Sequence, residues 1–264
     1  MLELVQVDKT FSPGTPGETK VFEGFSLTVP EGQFLSIVGG NGSGKTTLLN
    51  ALLGSIPNDK RIYSIESGAR ELFLVKRNAY GEVLNNVVHT LSRPSENAAY
   101  NITQENLVVA ALRFDPDLIA VGEIRDEEAN AAVEASLTGH TVVTTVHSGP
   151  AEAAHGRIAL LCQRRFQLGM AVSLSQARQA FPVVVFAHRC EDNSRRVMDI
   201  SEVSVTAEGD TEYRCLYRYC ITENVCENDR IKVSGYFEKV NPPSDYLKTL
   251  LTRSGVPQTI LDQF

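Results

Sequence analysis

The apolar positions change their period several times along the chain. In "MLELVQVDKTF" they fall at Leu2 and Leu4 and again at Val5 and Val7. This is a strand alternation with one interruption that a bulge would absorb. The Gly- and Pro-rich "SPGTPGETK" breaks it, and "VFEGFSLTVPEG" gives a second strand-like run closed by Pro30, Glu31 and Gly32. "FLSIV", Phe34 to Val38, is apolar without alternation, as a strand buried on both faces requires. Leu48, Leu49, Leu52 and Leu53 then recur at helical spacing, with Gly54 and Pro57 as the stop. Further strands are predicted at "RIYSIE", "LIAVGE", "TVVTTVH" and "FPVVVFAH", and helices at "TQENLVVAALRF" and "RDEEANAAVEASLTG". Strands alternating with helices predict a largely parallel sheet flanked by helices, hence an α/β core. From Asn193 the texture turns to β-rich runs such as "RRVMDISEVSV" and "TEYRCLYRYCI". It ends on a helix in "SDYLKTLLTRSG", with Ser244 as N-cap and Gly255 as stop. The expected division is therefore a main domain over 1–192 and a small β-rich and helical appendage over 193–264. No internal repeat is found.

Composition narrows the classes. With 25 Lys and Arg against 32 Asp and Glu, the formal charge is −7. Nucleic-acid binding through phosphate neutralisation needs the opposite balance, so no nucleic-acid partner is expected. Five cysteines, without secretory context, predict reduced thiols. Cys215, Cys220 and Cys226 lack the C-x-x-C pairs of a usual zinc site. Neither a signal peptide nor a run long enough to span a bilayer is read. The expectation is a cytoplasmic chain, peripheral at the inner face of a membrane only through partners.

The chemistry starts at "GGNGSGKTT". Gly39, Gly44, Lys45 and Thr46 satisfy G-x-x-x-x-G-K-[ST], between a predicted strand and a predicted helix. Glycines let backbone N–H groups turn inward around an anion, and the helix that follows adds its positive N-terminal end. The motif predicts a nucleoside triphosphate cradled by Gly39, Asn41, Gly42, Ser43, Gly44, Lys45, Thr46 and Thr47. Lys45 would reach the β- and γ-phosphates and the Thr46 hydroxyl a magnesium ion. "DLIAVGEIR" is an apolar strand delivering Glu123 at its C-terminal end, where parallel sheets place their ligand crevice. Glu123 is the candidate to activate the attacking water and, through water, to help hold magnesium, which the same positioning chemistry would require. "TVVTTVH" ends in His147, able to donate or accept a hydrogen bond near neutral pH.

Two resemblances follow. Residues 1 to about 54, including "VPEGQ" before the loop strand, resemble the opening of an ABC transporter ATPase. That likeness implies an aromatic residue stacked on adenine, which would be Phe11; strand-end packing is the alternative for it. No signature of the "LSGGQ" type follows, and no strand ends in adjacent Asp and Glu. From about Ile56 onward the chain instead resembles the type II/IV secretion ATPases, nearest to the CpaF-like motors of Tad pilus assembly. The segments "IPNDKRIYSIESGAREL" and "NLVVAALRFDPDLIAVGEIRDEEANAAVEASLTGHTVVTTVHSGPAEAAHGRI" carry that family's acidic box, Walker B and histidine box in order.

This second resemblance implies a RecA-like P-loop NTPase that hydrolyses ATP with Mg2+. Residues 1–54 would form an ABC-like leader with antiparallel strands, and 55–192 a secretion-ATPase body. Glu66 and Glu71 lie in the acidic box, Glu66 as a nucleotide-binding candidate, with Ser67 standing where the family usually has Asp. His147 would sense the γ-phosphate or a neighbouring subunit, and His140 belongs to the same box. Arg125 would pair with Glu123 or a neighbour's phosphate. Gly122 stands where many P-loop ATPases have Asp, but the resembled family has Gly there too. The family forms hexamers and acts with an inner-membrane platform protein. It normally carries an N-terminal domain where this chain has the ABC-like leader, so self-association is expected to be weak or altered. Two other functions stay open on sequence grounds: a nucleotide-binding module with little turnover, and an ABC transporter ATP-binding subunit.

Overall fold

The computed structural model describes residues 2–11, 14, 19–29, 35–165, 168–205, 210–227 and 230–262; at 2–11, 19–29, 35, 205 and 227 it describes the backbone alone. The alternating first segments form β1 (Leu2–Phe11) and β2 (Thr19–Val29), paired antiparallel in a sheet of their own. Their register shifts between Leu4 and Val7, where the alternation is interrupted.

All other strands join one nine-stranded sheet. The doubly buried apolar runs become β3 (Leu35–Val38), β4 (Arg61–Glu66), β6 (Leu118–Ile124), β7 (Val142–Val146) and β8 (Val183–Arg189). β5 (Asn86–Leu91) adds a half-exposed edge strand beside β4. These six run parallel in the order β8-β3-β7-β6-β4-β5. Beyond β8 the sheet continues antiparallel through β9 (Arg195–Val205), β10 (Thr211–Glu227) and β11 (Arg230–Lys239). The texture change at Asn193 is thus the β8–β9 turn, and the β-rich end prolongs the same sheet.

Successive strand residues feed opposite layers, as a period of two demands. Ile37, Ile62, Leu118, Val143 and Val185 pack against α1 (Lys45–Gly54), α6 (Asp245–Arg253) and α7 (Gln258–Leu261). Their neighbours Val38, Tyr63, Ile119, Val142 and Val184 pack against α2 (Gln104–Ala111), α3 (Glu128–Leu137), α4 (Ala151–Cys162) and α5 (Met170–Ala180). Burying each Leu, Ile or Val here contributes about 1.5–3 kcal/mol, so both layers are set by the strand pattern. Ser244 caps α6 through the Leu247 amide at 3.1 Å, and Gly255 follows the helix at φ +83°. All five cysteines are free. Among the described residues, no helix is long and apolar enough to cross a membrane.

One buried polar network ties α4 and α5 to β10. The fully buried His155 donates from Nε2 to the Phe181 carbonyl (2.8 Å), which leaves Nδ1 to accept from the Tyr213 hydroxyl at 3.1 Å. Arg178 Nε donates to the same hydroxyl at 3.2 Å. Burial pushes the imidazole from 6.5 down to about 4, with the nearby Arg178 charge acting the same way. The unfolded chain therefore binds a proton on this group that the folded chain refuses between these values, so stability falls as pH falls through that window. The loss at pH 4 should be on the order of 3 kcal/mol. Denaturant titrations from pH 7 to 4 should show a slope that the His155→Gln variant lacks. The same slope in both proteins would assign it elsewhere.

Candidate nucleotide site

The loop after β3 is shaped by close backbone approach. A Cβ on Gly39, whose φ is +152°, would lie 2.0 Å from the Ala187 carbonyl oxygen on β8. Gly44 at φ +93° opens α1 without a side-chain cap, so the N-terminal amides of that helix face outward unpaired by any cap. The result is an anion cradle at a helix N-terminus.

Over it lies a cavity of about 570 Å3, lined by the loop and by side chains from four further segments. Asn41, Gly42, Ser43, Gly44, Lys45, Thr46 and Thr47 form its floor; Glu123, Arg125, Thr145 and His147 form one wall, with Glu71 and Arg195 closing it. Gly39 lies beneath, against β8. Phe11 ends β1, and its side chain lies outside the described residues.

Lys45 is 6% exposed, and its ammonium donates to the carbonyls of Gly39 (3.0 Å) and Gly40 (2.9 Å). Burial holds its pKa below the ordinary value, and Glu123 opposes that shift. A buried ammonium resting on two loop carbonyls is available to an incoming anion, because charge-assisted bonds to phosphate are stronger than those to neutral carbonyls. Glu123 faces it from the end of β6. Its Oε2 is bound by Arg125 at 2.5 Å. Its Oε1 is buried 3.0 Å from His147 Nε2 and has no hydrogen-bond partner among the described residues. Burial and the Lys45 charge keep His147 below its ordinary pKa despite the pull of Glu123, so the imidazole is neutral at pH 7. Thr145 anchors the wall by donating to the Gly122 carbonyl at 2.7 Å.

The acidic box divides its labour. Glu71 reaches the cavity, 3.4 Å from the Thr46 hydroxyl that donates to it. Glu66 does not line the cavity. It is 4% exposed, and its Oε1 accepts from the amides of Glu71 (2.7 Å) and Leu72 (2.9 Å). Burial raises its pKa, and those two amides act against the rise. Glu66, a nucleotide-binding candidate in the sequence, instead lies outside the cavity and holds the loop that carries Glu71 through Oε1, while its Oε2 is buried without a hydrogen bond. Gly122 makes room for it: a Cβ there would stand 3.2 Å from Glu66 Cγ. Asn50 on α1 holds the same loop, donating to the Glu71 carbonyl (2.9 Å) and accepting from the Phe73 amide (2.7 Å). His140 precedes β7, at the end of that strand opposite His147. The sequence reading did not single out Asn50, Thr145 or Arg195.

The oxygen set fits a hard divalent cation. Thr46 Oγ1 and the carboxylates of Glu71 and Glu123 are hydroxyl and carboxylate oxygens of residues that line the cavity beside the phosphate cradle. Mg2+ commonly takes one or two such oxygens together with substrate phosphates and water.

Comparison with known proteins agrees with this geometry. The family described as type II/IV secretion system protein matches residues 19–234. The type IV secretion system protein PtlH of Bordetella pertussis is 34% identical over 181 residues, 66% of this chain and 51% of that protein. Type II secretion system protein E of Pseudomonas aeruginosa is 37% identical over 125 residues, 47% of this chain and 22% of that protein. The crystal structure of the VirB11 ATPase from the Brucella suis type IV secretion system superposes with a TM-score of 0.54 at 27% identity. It covers 64% of this chain and 49% of that one. The chain spans about half the length of PtlH, the first of these relatives. With the P-loop, the acidic segment, the strand-end Glu123 and His147 all on one sheet edge, the chain belongs to the type II/IV secretion system protein family.

Proposed function

We propose that the chain is the motor domain of a secretion or pilus assembly ATPase, binding ATP with Mg2+ and hydrolysing it. The observation that carries this reading is that Lys45, Thr46 and Glu123 line one cavity over the open N-terminus of α1. Gly39 to Thr47 hold the phosphates. Lys45 moves from the loop carbonyls to the β- and γ-phosphates, and Thr46 and Glu123 hold Mg2+, the latter through water. Bound there, the metal supplies charge neutralisation on the phosphate oxygens. Glu123 Oε1 accepts the proton of the attacking water, while neutral His147 donates toward the γ-phosphate or a neighbouring subunit. Phe11 is the proposed adenine contact. Residues 1–192 act as the NTPase domain and 193–264 as an extension of its sheet. The partners are further copies of this chain and an inner-membrane platform protein, which places the chain at the cytoplasmic face of that membrane; a CpaF-like role in Tad pilus assembly is the finer assignment. The family match favours this motor over a bare binding module or an ABC subunit.

Turnover that needs a neighbouring subunit should depend on protein concentration. Phosphate release per chain, measured with Mg·ATP across a wide concentration range, should rise cooperatively. Background release at every concentration would leave only a nucleotide-binding module.

A further inference from the structure

The β8–β9 turn brings two arginines together, and among the described residues neither forms a salt bridge with Glu191 or Asp192 of that turn. Arg189 and Arg195 are direct cross-strand partners, so their side chains leave the same face of the sheet. Like charges placed directly opposite are destabilising. Neither guanidinium has a salt bridge among the described residues: Arg189 donates to the Asn193 amide oxygen, and Arg195 Nε donates to the Gly42 carbonyl at 2.8 Å. Of the two acids in the turn, Asp192 is engaged elsewhere, by the Ser194 amide and hydroxyl and by the Val233 amide on β11, and Glu191 is exposed. Both arginines close on one residue of the phosphate loop, since a Cβ on Gly42 would lie 3.8 Å from Arg189 Nη1. Arg195 lines the cavity.

Position along the sheet edge says which part of a nucleotide they meet. The order β8-β3-β7-β6 puts Glu123 and His147 on one side of the phosphate loop and the β8–β9 turn on the other. With the β- and γ-phosphates between Lys45 and Glu123, the α-phosphate and nucleoside extend toward β8 and β9. A guanidinium offers a planar fork that matches two phosphate oxygens.

We propose that Arg195, backed by Arg189, binds the α-phosphate of the nucleotide and so ties the antiparallel half of the sheet to the occupied loop. This inference rests on the nucleotide-binding reading above. Equilibrium titration should show Arg195→Gln weakening ATP and ADP by a similar factor, about 10-fold or more, as expected for a lost charge-assisted contact. Inorganic pyrophosphate, which fills only the Lys45 side, should bind both proteins alike. Arg195→Lys, which keeps the charge and loses the fork, should fall between them. Unchanged ATP and ADP affinity in Arg195→Gln, with a wild-type chain that binds both, would overturn this inference alone. Pyrophosphate weakened as much as ADP would overturn the α-phosphate assignment. A wild-type chain that binds no nucleotide would overturn the proposed function as well.

Discussion

Replacing Glu123 by Gln is expected to lower ATP turnover by ~10²-fold or more, the usual contribution of a positioned general base, while nucleotide still binds. The carboxylate stands at the end of β6 with one oxygen held by Arg125 and the other buried without a hydrogen bond. Gln preserves the shape and the Arg125 contact but offers a carbonyl and an amide where the reaction needs a proton acceptor. The cradle amides and Lys45 are untouched, so affinity changes far less than rate. The losing charge also sits beside Lys45, whose ammonium Glu123 favours; any loss of affinity should therefore be modest and shared by ATP and ADP. Single-turnover phosphate release at saturating Mg·ATP separates the two effects. Equal rates for the two proteins would remove Glu123 from the chemistry.

Much of this site was legible because its residues act where the chain itself announces them. The glycine loop lies between an apolar run and a leucine-spaced helix, and β3, the loop and α1 follow in that order. Glu123 and His147 are the polar residues that end or follow doubly buried strands, which is where an open parallel sheet presents its ligand groups. The ABC-like and secretion-like stretches meet within β3, the loop and α1, and the family match runs across that join from residue 19.

The remainder depends on contacts between distant segments. Arg195 reaches Gly42 across 153 positions, and nothing in its local pattern distinguishes it from Arg196. Glu66 and Glu71 look alike in "IESGAREL", yet only the fold around Gly122 decides that one is buried under the loop and the other faces the cavity. The edge strand β5 and the polar helix α5 carry weak periodicity because each buries little surface. α4 was missed for another reason: alanines supply part of its buried face, and their small apolar contribution blurs the helical stripe.

The largest binding effect should come from Lys45→Ala. The ammonium is almost fully buried, lies on the loop carbonyls of Gly39 and Gly40, and is the only Lys lining the cavity among the described residues. Charge-assisted bonds to phosphate contribute about 1.5–3 kcal/mol each, so losing those to two phosphates should weaken Mg·ATP by roughly 10²-fold or more. The nucleotide-free protein should tolerate the change, because removing a desolvated charge offsets the loss of two hydrogen bonds. A ligand at 100 times its dissociation constant stabilises the native state by about 2.7 kcal/mol, so wild type should melt clearly higher with Mg·ATP and the variant should not. The most direct measurement is therefore a calorimetric titration of Mg·ATP into both proteins. One site per chain in the wild type and no measurable binding to Lys45→Ala is the predicted result; equal affinity in the two would contradict a nucleotide site in this cavity.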